Sequence, residues 1–241
     1  MGSSDLALYW QMLQLPNVIG HRGAAAYVLE NTLDSFREAR RRGATWVEID
    51  VKLTADGVPI LMHDESLGRT TGVDRLVAET KRAELPPVVP TFEEAIACFA
   101  AEGLGCNVEI KPCPGREAET AVATVQTLRR CWPASLPAPL LSSFKDASLA
   151  AARDAAPEFA RALLLDEIRD DWRSRAEAVG AVGINTNGKR LTAPRAVEIR
   201  QAGYTLSVYT INDGAVARAL VGMGVDCVIT DAPDVVLAAL G

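Results

Sequence analysis

Short apolar runs that suit buried strands alternate with longer helix-like runs along almost the whole chain, and eight such pairs can be recognised. This alternation predicts βαβ units, in which parallel strands are joined by helices. Eight units in 241 residues match one TIM-type (β/α)₈ barrel, which takes about 250 residues. We therefore predict a single α/β barrel domain over residues 1–241. A doubly wound open sheet is the alternative, although the glycine-rich fingerprint of a dinucleotide-binding version is absent after the first strand.

The predicted elements are spaced regularly except in one place. The predicted strands are Val18–His21, Trp46–Val51, Asn107–Lys111, Leu140–Ser143, Arg161–Leu165, Val182–Asn185, Thr205–Tyr209 and Asp226–Thr230. The predicted helices are Leu33–Arg42, Thr91–Ala101, Glu117–Arg130, Ala147–Ala155, Arg169–Val179, Pro194–Gln201, Ala215–Val221 and Pro233–Leu240. A short insertion follows the second strand: an extra strand within Val58–His63 and then the longest irregular stretch, Asp64–Pro90. Long loops inside compact domains are often functional.

Charge and composition argue against several classes of protein. The formal net charge is −6, without the basic footprint that nucleic-acid binding needs. No segment reaches the ~20 apolar residues of a membrane span, so we expect no integral membrane association. The apolar stretch Leu6–Leu15 lacks the features of a signal peptide and is predicted to lie as a helix against the barrel. Five cysteines without a Cys-x-x-Cys pair predict free thiols in a cytoplasmic protein. The oligomeric state is not readable from the sequence.

Two predicted strands carry charged residues on one face. Side chains alternate across a strand, so Glu48 and Asp50 share a face, as do Glu109 and Lys111. The apolar residues between them then meet the surrounding helices. Both charged pairs fall near the carboxyl ends of their strands, which is where barrel active sites lie. The pattern predicts that these side chains meet inside the mouth of the barrel.

Three carboxylates in one place repel each other, and the repulsion would raise the pKa of at least one of them. A bound hard cation is one remedy, since oxygen-only ligands favour Mg²⁺, Ca²⁺ or Mn²⁺ over zinc or copper. The other remedy is a set of ion pairs with nearby cations: Arg22, Lys52 and Lys111. Spacing alone does not choose between the two.

The chain has only two histidines: His21 ends the first predicted strand, and His63 follows the apolar run Val58–Met62. Because histidine titrates near neutral pH, two at one mouth can divide the work of general acid and general base. Each could equally be structural. Arg22 and Lys111 would bring positive charge to the same rim, which suits a phosphate diester, or would pair with the carboxylates.

Short motifs connect these residues in a fixed order. They are His21-Arg22-Gly23, Glu30-Asn31-Thr32, Glu48-x-Asp50, Thr54-x-Asp56-Gly57, His63-Asp64, Arg69-Thr70-Thr71, Glu109-Ile110-Lys111, Ser142-Ser143-Phe144, Tyr209-Thr210-Ile211-Asn212, Gly224-Val225-Asp226 and Thr230-Asp231-x-Pro233. Each motif is weak alone, but the ordered set closely resembles the glycerophosphodiester phosphodiesterase family over nearly the whole chain.

The resemblance implies a TIM-type barrel, one divalent cation, and hydrolysis of glycerophosphodiesters to glycerol 3-phosphate and an alcohol. In the family's usual scheme the glycerol 2-hydroxyl attacks phosphorus and a cyclic phosphate is then hydrolysed. The residues at matching positions are Glu48, Asp50 and Glu109 as metal ligands, His21 and His63 as the acid–base pair, Arg22 and Lys111 as phosphate contacts, and Phe144 and Tyr209 as substrate contacts.

The chain departs from the family pattern at two motif positions. Leu29 stands where proline is usual, and Tyr209 stands where tryptophan is usual, which affects the wall of the glycerol pocket and the preferred alcohol. Two rival functions remain: a phospholipase D-like enzyme acting on lysophospholipids, and a non-catalytic module that binds glycerol phosphate. An intact pair of histidines argues against the second, since a sensor needs no acid–base pair.

Overall fold

Eight parallel strands close into a barrel. The structure is a computed structural model and describes residues 15–241. The first strand pairs in parallel with both the second strand and the last one, and this closes the sheet. The predicted barrel is therefore confirmed, and the open-sheet alternative is wrong. A ninth, short strand runs antiparallel to the second strand and lies outside the parallel ring.

Strands and helices alternate around the ring. The strands are β1 Val18–Gly20, β2 Trp46–Leu53, β3 Pro59–Leu61, β4 Gly105–Ile110, β5 Leu140–Ser143, β6 Ala160–Leu165, β7 Gly183–Asn187, β8 Thr205–Tyr209 and β9 Cys227–Thr230. The helices are α1 Leu33–Arg41, α2 Gly68–Thr71, α3 Phe92–Glu102, α4 Glu117–Cys131, α5 Asp146–Ala155, α6 Trp172–Ala178, α7 Ala193–Gln201, α8 Gly214–Gly222 and α9 Pro233–Leu240.

The two faces of the strands have different partners, as their alternation predicts. On β2, Val47, Ile49 and Val51 pack with buried residues of α1 and α3 between the sheet and the helices. The inward face begins with an apolar layer built from Trp46, Leu140 and smaller side chains such as Ala160 and Val182. This layer lies at the amino-terminal end of the barrel, and the charged inward residues follow it along β2 and β4: Glu48, Asp50, Lys52 and Glu109.

Several element ends differ from the prediction. β1 ends at Gly20 and β4 at Ile110, so His21 and Lys111 lie one residue beyond their strands. The backbone turns away at once after β1, because Arg22 adopts a left-handed conformation with φ of 51°. The predicted helix at Leu6–Leu15 falls almost wholly outside the described residues.

The stretch Asp64–Pro90 is ordered rather than irregular. It contains α2 and two short 3₁₀ turns, Val77–Glu79 and Arg82–Glu84. Its apolar side chains pack with residues on either side of it into a small separate core: Ile60, Met62, Leu67, Val77, Leu85, Val89 and Cys113. The predicted extra strand is present as β3. The insertion is therefore a compact substructure with its own packing, and His63 lies at its first turn.

No helix among residues 15–241 is both long enough and apolar enough to cross a membrane. The five cysteines carry free thiols, and four of them are buried.

Substitution of Gly105 by alanine is expected to destabilise the barrel. A Cβ atom at this position would lie 2.3–2.5 Å from three atoms of the Trp46 indole, which is itself 4% exposed and cannot easily move. We expect a loss of about 1–3 kcal/mol in the free energy of unfolding, the usual cost of overpacking. Gly222→Ala is the control, because its Cβ would meet no atom within 4 Å and alanine is the better helix former. Equal urea midpoints for Gly105→Ala and the parent would contradict this.

Candidate active site

Three carboxylates meet inside the mouth of the barrel. Asp50 and Glu109 are direct partners in the parallel register of β2 and β4, and Glu48 lies one inward position below Asp50. One oxygen of each lies within 4.8 Å of the others, and the residues are only 4%, 0% and 7% exposed in chain order. The structure thus brings together the residues that the sequence predicts, and the cluster could hold a metal ion.

Burial and mutual repulsion act strongly on these groups. Burial, together with the charges of Asp50 and Glu109, raises the pKa of Glu48 well above its usual value. Burial and the Asp50 charge raise the pKa of Glu109 to about 7. Burial also opposes the ionisation of Asp50, but Lys111 and Arg22 outweigh it and hold that pKa below the usual range. Of the three carboxylates, Asp50 is therefore the one that stays ionised at neutral pH.

Two cations lie against the carboxylates. Lys111 Nζ is 2.8 Å from Glu109 Oε1 and 3.3 Å from Asp50 Oδ1, while Arg22 Nε is 3.1 Å from Asp50 Oδ2. The ion pairs considered from the sequence are thus formed by Arg22 and Lys111, but not by Lys52. Glu48 has no Lys or Arg side-chain nitrogen within 4 Å among the described residues, and Asp50 Oδ1 is buried without a hydrogen bond. With all three carboxylates ionised, the two cations would leave one negative charge without compensation, and Asp50 Oδ1 has a lone pair without a hydrogen bond; both features fit a hard divalent cation.

His21 is held by a carboxylate from the far end of the chain. Its Nδ1 lies 2.6 Å from Asp231 Oδ1, and Asn212 donates to the other oxygen of Asp231 at 2.7 Å. The Asn212 side-chain oxygen in turn accepts from the backbone N–H of Asp231 at 2.8 Å. With Nδ1 donating to the carboxylate, Nε2 is left facing the cluster, 3.9 Å from Glu48 Oε2.

His63 is held in the same way from the other side. Its Nδ1 lies 2.7 Å from Asp64 Oδ1, and Arg69 Nε donates to Asp64 Oδ2 at 2.5 Å. The hydrogen bond from Arg69 is the main reason that the pKa of Asp64 falls to about 2. Burial lowers the pKa of His63, although Asp50 partly opposes the shift. His63 is therefore a neutral imidazole at pH 7 and is able to accept a proton.

The loop between β1 and α1 supports this arrangement. Glu30 accepts a hydrogen bond from Arg22 at 2.8 Å and two hydrogen bonds from the Arg69 guanidinium at 2.7 and 2.9 Å. Asn31, which also has a left-handed backbone (φ 55°), donates to Asp50 Oδ2 at 2.8 Å. Gly23 is required because a Cβ there would overlap the Ser35 hydroxyl.

The sequence motifs include six further residues of the site, but the sequence alone did not indicate what these residues do. The missed residues hold the predicted ones: Glu30, Asn31, Asp64, Arg69, Asn212 and Asp231. For Asp64 a signal was present, since a carboxylate directly follows a histidine. For Asp231 no local signal existed, because its partner lies 210 residues away.

Two aromatic side chains wall the outer side of the site. The rings of Phe144 and Tyr209 meet edge to face with centroids 5.9 Å apart, and Lys111 Nζ lies 5.7 Å from the Phe144 ring centroid. The Tyr209 hydroxyl donates to the Leu165 carbonyl at 3.1 Å, so its ring is fixed. Both rings line a small hollow of about 30 Å³ that also contains His21 and Glu48. A larger cleft of about 540 Å³ opens on the His63 side.

Comparison with known proteins identifies relatives of this chain. The model of the glycerophosphoryl diester phosphodiesterase family matches residues 21–235. A phosphodiesterase from Oleispira antarctica, solved in complex with the product sn-glycerol-3-phosphate, superimposes with a TM-score of 0.91 at 38% identity, covering 94% of this chain and 97% of that one. A glycerophosphodiester phosphodiesterase from Thermotoga maritima gives a TM-score of 0.77 at 27% identity, covering 94% and 99%.

A curated relative, the glycerophosphodiester phosphodiesterase of Bacillus subtilis, is 29% identical over 246 residues, covering 90% of this chain and 83% of its own. The family model covers far more than half of the chain and includes every motif position quoted above. The chain therefore belongs to the glycerophosphoryl diester phosphodiesterase family, as its ordered motifs predicted.

Proposed function

We propose that this protein hydrolyses glycerophosphodiesters to glycerol 3-phosphate and an alcohol, using one divalent cation and two histidines. The observation that carries the proposal is the buried Glu48–Asp50–Glu109 cluster with a carboxylate-bound histidine on each side. Family membership supports it, as does the glycerol 3-phosphate bound by the Oleispira relative. The enzyme class follows the family, while the residue roles below are our proposal.

The three carboxylates would hold Mg²⁺, Ca²⁺ or Mn²⁺, all of which accept oxygen ligands. The bound cation would act as a Lewis acid that offsets the negative charge developing on the phosphate. Asp50 is kept ionised by Arg22 and Lys111 and is fixed by Asn31, so one ligand is ready before the cation arrives. Glu48 and Glu109, whose pKa values are raised, would bind the cation as carboxylates after loss of their protons to solvent.

The histidines would move the protons. One accepts the proton of the attacking glycerol 2-hydroxyl, and the other gives a proton to the leaving alcohol, so that a cyclic phosphate and the alcohol form. Water then opens the cyclic phosphate with the roles reversed. Each imidazole keeps a fixed orientation because its Nδ1 is held by Asp231 or Asp64, and this leaves Nε2 for the substrate.

The remaining predicted residues would bind the substrate. Arg22 and Lys111 provide charged donors beside the carboxylates, where they suit a phosphate oxygen. Phe144 and Tyr209 supply the apolar wall against which the carbon atoms of glycerol would lie. Because the Tyr209 hydroxyl is used by a backbone carbonyl, this residue acts through its ring rather than as a free donor.

Release of glycerol 3-phosphate from glycerophosphocholine and glycerophosphoethanolamine is the direct test. We expect release with at least one of Mg²⁺, Ca²⁺ or Mn²⁺. We expect none with a chelator, because no protein group would then take the Lewis-acid role that we propose for the cation. Lysophosphatidylcholine, expected to be a poor substrate, is the parallel arm. Turnover of that lipid alone would favour the phospholipase D-like alternative, and glycerol phosphate binding without any turnover would favour the binding module.

Substitution of either histidine is expected to remove turnover without removing the metal. His21→Ala and His63→Ala should each lower kcat by at least ~100-fold, the lower end for loss of general acid–base catalysis. The cation concentration that half-saturates thermal stabilisation should stay within about threefold of the parent value, since neither imidazole is a proposed ligand. Near-normal turnover in both variants would remove the acid–base assignment.

Replacement of Glu48 by glutamine is expected to stabilise the metal-free protein. The raised pKa of Glu48 means that its ionisation opposes folding, a cost that is present above the folded pKa and vanishes below the unfolded value near 4.5. In chelator at pH 8, Glu48→Gln should gain on the order of 1–3 kcal/mol in the free energy of unfolding, a common range for changes of buried charge.

The gain should shrink towards zero as the pH falls to about 4, where the parent carboxyl is protonated in both states. Added Ca²⁺ or Mg²⁺ should stabilise the parent but barely stabilise the variant, because binding to the native state alone raises stability. A variant that is less stable than the parent in chelator, yet is stabilised normally by the cation, would exclude Glu48 from the cluster's charge balance and from the ligand set.

A further inference from the structure

The carboxylate cluster separates two spaces of very different size. The hollow of about 30 Å³ on the His21 side is enclosed by barrel strands, whereas the cleft of about 540 Å³ on the His63 side lies between the insertion and the loops after β4 and β5. The lining residues common to both are Glu109 and Phe144. A glycerophosphodiester has two sides as well: a constant three-carbon glycerol and a variable alcohol. The small hollow suits the constant part, and the large cleft suits the variable part.

Lys52 contributes an unusual charge to the wall of the large cleft. It is the next inward residue of β2 after Asp50, and it is only 2% exposed. Its Nζ donates to the backbone carbonyl of Lys111 at 3.1 Å, and no carboxylate lies within 4 Å of it among residues 15–241. An ammonium has three donors, and a buried charge without a partner is costly. The wall of the cleft therefore contains a cation with unused capacity for an anion.

The other charged groups of the cleft do not cancel it. Asp64 is bound to His63 and Arg69, and Glu109 is bound to Lys111. Three charged residues of the cleft then remain outside any ion pair in the described part of the chain: Lys52, Lys145 and Glu65. Their sum is one positive charge. Lys145 and Glu65 are exposed, whereas Lys52 is enclosed, where solvent screens its field least.

From this we propose that the large cleft is the subsite for the leaving alcohol, and that Lys52, assisted by Lys145, selects alcohols that carry a carboxylate or a phosphate. The proposal rests on the proposed function and adds to it a preference for diesters with an anionic alcohol. An anionic group in the cleft would give the Lys52 ammonium the charge-assisted hydrogen bond that the protein itself does not supply.

A simpler reading gives Lys52 only a structural role. Its hydrogen bond to the Lys111 carbonyl supports the backbone beside the cluster, and its loss would then impair hydrolysis of every diester alike. The two readings differ in one measurable quantity: whether the effect of removing the charge depends on the charge of the leaving alcohol.

The test uses glycerophosphodiesters whose two-carbon leaving alcohols differ chiefly in charge: ethanolamine, ethylene glycol, glycolate and ethylene glycol monophosphate. We expect the parent enzyme to show a kcat/KM about tenfold higher for glycolate than for ethylene glycol, the lower range for a hydrogen bond to a charged group. The phosphate arm distinguishes a preference for either anion from a preference for carboxylates. Ethanolamine should be the poorest leaving alcohol of the set.

Lys52→Met keeps the length of the side chain and removes its charge. It should abolish the preference for glycolate, so that kcat/KM for the glycolate diester falls about tenfold more than kcat/KM for the ethylene glycol diester. Lys145→Gln should weaken the preference partly, and because Lys145 is exposed, the substitution leaves the core unchanged. Glu65→Gln should strengthen the preference, because it removes the opposing charge. Lys189→Gln, which removes an exposed cation outside the cleft, is the control and should leave all four rates unchanged.

Each outcome decides the matter. Parent enzyme that hydrolyses all diesters without preference for the anionic alcohols would overturn the subsite assignment and leave the proposed function intact. An equal loss on every diester in Lys52→Met, with unchanged preference in the Lys145 and Glu65 variants, would establish the structural role instead. Folded parent enzyme that hydrolyses none of the diesters with any of the three cations would overturn both proposals.

Discussion

The mutual repulsion of three buried carboxylates is the constraint on which the rest of the site depends. The parallel register of β2 and β4 places Asp50 beside Glu109, and strand alternation places Glu48 on the same inward face. Water cannot screen charges inside a closed barrel, so nearby positive charge must offset them. Arg22 and Lys111 supply part of this positive charge. The raised pKa values of Glu48 and Glu109 indicate that the two cations do not offset all of the negative charge.

The surrounding loops can be understood as the means of holding that positive charge in place. Arg22 is fixed by Glu30, and Glu30 is fixed in turn by Arg69 from the insertion. The same Arg69 holds Asp64, which holds His63. The chain of contacts therefore joins the β1–α1 loop to the insertion across the mouth. The left-handed backbone at Arg22 is the local strain that lets the guanidinium turn back over the barrel.

The parts of this structure that were predictable from the sequence are those that depend on periodicity. Alternating faces on β2 and β4 placed the carboxylates inside, and alternating elements predicted the barrel. The role of Asn31 was not predictable, since its place before α1 suggests a helix cap, whereas its left-handed backbone turns the side chain to Asp50 and leaves the cap to Thr32. Asp231 reaches His21 only because the barrel closes, which is a global property.

The two histidines have different surroundings, which suits the asymmetric substrate that we propose. His21 is held from β9 by a carboxylate whose other oxygen is taken by the neutral amide of Asn212, and it borders the small hollow. His63 is held by a carboxylate that Arg69 neutralises, on an insertion with its own apolar core, and it borders the large cleft. In the binding mode that we propose, the barrel strands therefore surround the constant glycerol. The insertion, which lies outside the ring of parallel strands, would then shape the side that receives the variable alcohol.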